Sequence, residues 1–280
     1  MLTILIINSK GGSGKTTLST NLASYYASKK FRTTIMDYDP QGSCLQWLKV
    51  RPGHIGNIHG ANAAPPKGAS TLHNLQKWVP VGTEVLVIDA PSGVKGLLLQ
   101  EMVRRSNFIV VPVVPSPIDI HATADFIKEM FLIGGAGATK TKIAVVANRV
   151  RSSSPARESL EQFLASLKLP FLTSISDSNN YIHAAEKGLG VFEMDEAETY
   201  AERQELLPIL KWLDGQVTDA EDNVVSIEES RKFAANRSSG KAWHSPIPRY
   251  ADSKSSLTPS YRDALEVSLA RDQHVLKKVR

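Results

Sequence analysis

Residues 10–17 read Lys-Gly-Gly-Ser-Gly-Lys-Thr-Thr, and no other stretch limits the fold of this chain as strongly. An apolar run, Leu2 to Ile7, leads into it, and Leu18-Ser19-Thr20-Asn21-Leu22-Ala23 follows with the look of a helix start. Glycines let a backbone turn its N–H groups inward around an anion. The positive end of the following helix dipole faces the same anion. In such a loop the lysine, here Lys15, reaches the β- and γ-phosphates, and the next hydroxyl, Thr16, ligates Mg2+. Gly11, Gly12, Ser13, Gly14, Lys15, Thr16 and Thr17 are thus the candidate nucleotide-binding residues. A glycine stretch alone is only a turn signal; strand before and helix after give this one its meaning. The ordinary phosphate loop has Gly where Ser9 stands and does not ask for Lys10.

The rest of the chain is compatible with such a unit. Its 280 residues suffice for one large α/β domain or a domain with an appendage. A 42% hydrophobic and 22% charged composition is that of an ordinary globular protein. A single cysteine, Cys44, excludes a disulfide framework and argues against an iron–sulfur cluster, and its expected role is that of a small buried hydrophobe. No apolar run approaches the ~20 residues of a membrane span. Met1 leads directly into a strand, so a signal peptide is not expected. These features imply a cytoplasmic protein. The net charge of +5 is compatible with nucleic acid without demanding it.

Continuous apolar runs at 85–88, 108–114, 143–147 and 171–175, with a shorter one at 33–36, suit parallel strands covered on both faces. Helical patterns lie at 16–29, 95–105, 119–132, 157–167 and 179–187, and 70–78 reads as a short helix. Residues 50–70, rich in Gly, Pro and Ala, read as loop. The alternation predicts an α/β fold, a doubly wound and mostly parallel sheet flanked by helices, with ligands at the strand C-terminal ends. Residues 196–214 form a charged helical pattern with a break expected at Pro208. The domain boundary is placed there: 1–214 as the nucleotide-binding domain, 215–280 as an extension. Residues 215–260 carry few aliphatics and read as disordered, and 260–280 as a terminal helix.

Lys-Gly-Gly-x-Gly-Lys-Thr-Thr resembles the deviant Walker A motif of the ParA/MinD family of P-loop ATPases. Four further segments match that family in order. Asp37-Tyr38-Asp39-Pro40-Gln41-Gly42-Ser43 is similar to the segment after its second strand, and Val85-Leu86-Val87-Ile88-Asp89-Ala90-Pro91 to its Walker B strand. Val110-Val111-Pro112-Val113 and Ala147-Asn148-Arg149 resemble two more strand ends. The likeness covers roughly residues 1–195 and is closest to small ParA-type partition and positioning ATPases, since no N-terminal helix-turn-helix is seen. The extension has no counterpart in that pattern.

The resemblance implies ATP and Mg2+ as cofactors and ATP hydrolysis as the activity. Thr16 and Asp89 would hold the metal, with Asp37 either supporting it or serving as a strand-end cap. Asp39 would orient the attacking water. Lys10 would reach across a homodimer to the partner's ATP, joining Lys15 and Asp39 as the catalytic set. Asn148 would read adenine. Ile175-Ser176-Asp177 stands where the family has a second base-contacting loop with Pro then Arg, which this chain lacks. Gly93 reads as a switch hinge or a plain turn glycine. The family further implies non-specific DNA binding, nucleoid association, and a ParB-like or cargo-adaptor protein that stimulates hydrolysis. The cargo would be a plasmid, a chromosome region or a protein organelle such as a carboxysome. Arg149, Arg151, Arg157, Lys168, Lys187, Arg203 and Lys211 are the basic residues that would face DNA or simply face solvent. The alternative is a MinD-like membrane-associated ATPase. For that role the tail at 261–270 is a poor anchor, lacking Phe and Trp.

Overall fold

In the computed structural model β1 (Leu2–Ile6) carries the apolar run into the glycine loop, and α1 (Lys15–Ser28) follows it. Residues 1–64, 78–132, 140–151 and 169–221 are described, 216–221 as backbone only. The helices expected at 70–78 and 157–167, and everything after 221, lie outside them. The described elements continue as β2 (Thr33–Asp37), α2 (Ser43–Lys49), β3 (Ile58–Asn62), β4 (Val85–Asp89), α3 (Gly96–Arg105), β5 (Phe108–Val113) and α4 (Pro117–Leu132). Then come β6 (Lys142–Val150), β7 (Phe171–Ser176), α5 (Asn179–Glu186), a 3-10 turn (Val191–Glu193) and α6 (Glu196–Glu221).

Among the described residues the strands form one seven-stranded sheet in the order β3-β2-β4-β1-β5-β6-β7, and every pairing is parallel. Strand periodicity splits the core into two layers. Leu5 and Ile7 face α3 and α4, packing with Leu99, Met102 and Phe126. Ile4 and Ile6 face the other way, packing with Leu18 and Leu22 of α1 and Ile209 and Leu213 of α6. Apolar residues on both faces are why these strands read as unbroken hydrophobic runs.

Three expectations need correction. The loop assigned to 50–70 contains β3, an edge strand paired with β2. Only Ile58 and Ala61 of its five residues are buried, and Gly60 lies against Leu45 and Leu48 of α2, so the strand lacks the apolar signature of its neighbours. The segment after Gly42 forms α2, a short helix not anticipated. Finally, α6 runs through Pro208, where the sequence suggests a break. The lost hydrogen bond at an interior proline costs ~3 kcal/mol, and Leu206, Ile209, Leu210 and Leu213, all buried around it, outweigh that. The non-helical residue is instead Thr199, at φ −114° and ψ 18°.

Candidate functional site

The loop is shaped by two glycines with positive φ, Gly12 at 76° and Gly14 at 91°. Gly14 is excluded from substitution twice over: a Cβ there would also stand 1.7 Å from Asn148 Nδ2. Asn148, at the end of β6, donates from Nδ2 to Ser13 O at 2.8 Å and so pins the loop from two strands away in the sheet. No side chain caps the N-terminus of α1, and no acid occupies its first turn. Its first N–H groups and dipole are left for an anion.

Lys15 is buried at 6% exposure, its Nζ donating to Lys10 O at 3.0 Å and Ser92 Oγ at 3.1 Å. Burial pushes its pKa down, against the pull of Asp89 and Asp39. A buried cation without a full counter-charge is what a polyphosphate would complete. Lys10 Nζ lies 3.5 Å from Asp119 Oδ1 at the start of α4.

Behind the loop, Asp89 closes β4. Its Oδ2 accepts from Thr16 Oγ1 at 2.8 Å and from the Cys44 thiol at 3.2 Å, and its Oδ1 from Ser19 Oγ at 3.0 Å. Burial raises its pKa to about 6 despite these donors. Cys44 is fully buried, as expected, but it also touches this carboxylate, a contact its sequence neighbours do not signal. A hydroxyl and a carboxylate side by side are the hard oxygen donors that Mg2+ takes alongside phosphate and water. The residues fit that ion. Among the described residues no three His, Cys, Asp or Glu side chains converge on a metal, so such an ion would depend on phosphate oxygens.

Asp37 and Asp89 end adjacent strands in register, yet their roles differ. Asp37 Oδ1 accepts from Asp39 N at 3.0 Å, and Oδ2 from Cys44 N at 2.9 Å and Leu45 N at 3.4 Å. Oδ2 thus holds the first turn of α2 and Oδ1 the Asp39 amide, so of the two roles open in the sequence both oxygens are engaged in the local, structural one. Among the described residues the Asp39 carboxylate accepts only from Gln41 N–H, at 2.9 Å.

A cavity of about 460 Å3 runs along the loop, within the ~300–1,000 Å3 usual for ligand sites. Gly12, Gly14, Lys15, Thr16, Thr17 and Asp39 line it, with Ser92, a residue the sequence reading passed over. Its remaining wall includes Asn148, Arg149, Ser176, Asp177, Ser178 and Tyr181. Asp177 pairs with Arg149 at 3.3 Å and Arg151 at 3.2 Å, both exposed. Lys10, Asp37 and Asp89 stand outside the cavity lining, Asp89 reaching it through Thr16.

The basic residues proposed for DNA separate clearly. Lys187 and Lys211 are exposed; Arg157 and Lys168 lie outside the described residues. Arg203 is a correction. Its guanidinium donates to Val191 O, Met194 O and Thr199 Oγ1, and lies 5.7 Å from the Phe192 ring centre. It fastens α6 to the 3-10 turn and has little left for a phosphate.

The model of the CobQ/CobB/MinD/ParA nucleotide binding domain matches residues 4–191. The chain belongs to this family. Members of the ParA/MinD branch are P-loop ATPases. The chain is 28% identical over 197 residues to "Maintenance of carboxysome distribution protein A" of Halothiobacillus neapolitanus, covering 69% of this chain and 87% of that protein. It is 33% identical over 130 residues to the chromosome-partitioning ATPase Soj of Thermus thermophilus, covering 43% of this chain and half of Soj. The fold is also that of a Cyanothece McdA variant solved with ATP (TM-score 0.55, 17% identity, 77% of this chain and 96% of that one). MinD in the Aquifex aeolicus MinC:MinD complex shares it too (TM-score 0.58, 17% identity, the same coverage). Within this ParA/MinD domain, no described helix is long and apolar enough to cross a membrane.

Proposed function

We propose that this ParA/MinD-family chain is a cytoplasmic, nucleoid-associated ATPase that pairs on ATP, binds DNA without sequence preference and positions a cargo. The observation that carries the reading is the meeting of Lys15, Thr16 and Asp39 in one cavity with Asp89 hydrogen-bonded to Thr16. Lys15 and the loop N–H groups neutralise and orient the phosphates, which is most of what phosphoryl transfer asks of a protein. Thr16 and Asp89 would hold Mg2+, which when bound would supply positive charge to offset that of the phosphates. Asp39 orients a water whose oxygen bonds to the γ-phosphorus as the bond to the bridging oxygen breaks, giving ADP and phosphate. Lys10 exchanges Asp119 for the partner subunit's nucleotide.

Arg149, Arg151, Lys187 and Lys211 are the described basic residues left for DNA phosphates. The carboxysome-distribution relative, matched over most of its length, favours a protein body as cargo, with a cargo-bound partner stimulating hydrolysis. The test is retention of Asp39→Ala on random duplex DNA with ATP and with ADP, at low and moderate salt. Retention with ATP alone, weakened by salt, supports the reading. No retention in either state overturns the DNA-binding part and transfers interest to vesicles, the MinD-like alternative.

A further inference from the structure

The wall formed by Ser176, Asp177 and Ser178 is held from behind by two carboxylates of α6 that do not themselves line the cavity. Glu205 Oε2 accepts from Ser176 N at 3.0 Å, Ser176 Oγ at 3.1 Å and Tyr181 OH at 3.3 Å. Glu202 Oε1 accepts from Ser178 Oγ and from Asn180 Nδ2 at 3.0 Å. Ser178 is at the same time the N-cap of α5, its Oγ accepting from Asn180 N at 3.1 Å. Three residues apart on a helix, Glu202 and Glu205 share a face, and that face meets both flanks of the β7–α5 loop. Glu202 is 5% exposed. Glu205 is half-buried, and hydrogen bonds accepted by a carboxylate are stronger than neutral ones.

We infer that Glu205 and Glu202 are positioning residues: they set the β7–α5 loop, and thereby the part of the cavity that takes the nucleoside rather than the phosphates. The inference rests on reading the cavity as a nucleotide site. Removing Glu205 leaves the Ser176 amide, the Ser176 hydroxyl and the Tyr181 phenol without their acceptor. The loop then rearranges where a base and ribose would lie, while Gly11–Thr17 keep their own bonds to Asn148 and Asp89.

The test compares ATP with inorganic tripolyphosphate, which engages the phosphate loop but carries no nucleoside. Calorimetry on the full chain with Mg2+ would measure both for wild type, Glu205→Ala and Glu205→Gln, with thermal unfolding alongside. Glu205→Ala should bind ATP about tenfold more weakly and tripolyphosphate within twofold of wild type. Glu205→Gln keeps an acceptor oxygen and should recover most of the ATP affinity. Should the alanine variant not fold, Glu205→Met fills the same volume without an acceptor and carries the same expectation. Equal losses for both ligands, or no loss for ATP, overturn the positioning role. A wild type that binds neither ligand instead sinks the nucleotide reading beneath it.

Discussion

The two ends of the cavity are built differently. The phosphate end is nearly all one continuous segment, residues 10–17, whose backbone supplies the donors and whose lysine and threonine point inward. The opposite end, where we propose the nucleoside lies, is assembled from Asn148 and Arg149 on β6, the loop at 176–178, and α6 behind it. The bonds that tie it to α6 join residues as far as 29 positions apart. A segment that carries its own geometry can be moved between proteins as a motif. A wall that depends on a helix packed behind it can change with that helix, and is where relatives with the same loop are free to diverge.

The largest expected effect lies at the phosphate end. Lys15→Ala should abolish measurable ATP binding, and calorimetry that still detects affinity would remove the lysine from its role. Next, Asp39→Ala should keep ATP affinity within a few-fold yet lower turnover at least ~100-fold; unchanged phosphate release would take it out of the mechanism.

A pH effect follows from Asp89. Its folded carboxyl titrates near 6, against about 3.9 in an unfolded chain. The folded state therefore holds the proton through that window, and the nucleotide-free protein loses stability as pH rises across it. The loss is on the order of 2–3 kcal/mol once complete. Urea unfolding between pH 4 and 7 should show this slope, flattened in Asp89→Asn. A smaller effect joins the two ends: Asn148→Ala frees the Ser13 carbonyl and should weaken both ATP and tripolyphosphate by roughly tenfold. A loss confined to ATP would place Asn148 wholly on the nucleoside side. The smallest concerns DNA, where Arg151→Ala should lower the salt dependence of retention by about one unit of slope. Arg203→Ala should leave that slope alone and lower the melting temperature instead.

The same contrast governs what the sequence discloses. The loop, the buried strands and Asp89 are legible because each is a local pattern: glycines at fixed spacing, apolar runs, a carboxylate at a strand end. β3 is not, since an edge strand with two buried residues and a glycine looks like a turn. Pro208 suggests a break that four buried neighbours prevent. Glu202, Arg203 and Glu205 look like the solvated face of a charged helix, and nothing local shows that the two carboxylates meet the loop after β7 or that Arg203 turns back onto the preceding 3-10 turn. Ser92 could have been found from its place three residues after Asp89, where a hydroxyl can meet the loop lysine.

Asp37 and Asp39, two residues apart, have been given unequal burdens. The first ties down its neighbour's amide and the start of α2 with both oxygens, fully enclosed. The second is attached through a single turn contact. An experimenter who wants the protein halted before hydrolysis can therefore edit position 39 and still purify a sound molecule. The same edit at position 37 would return an unfolding problem disguised as a catalytic one.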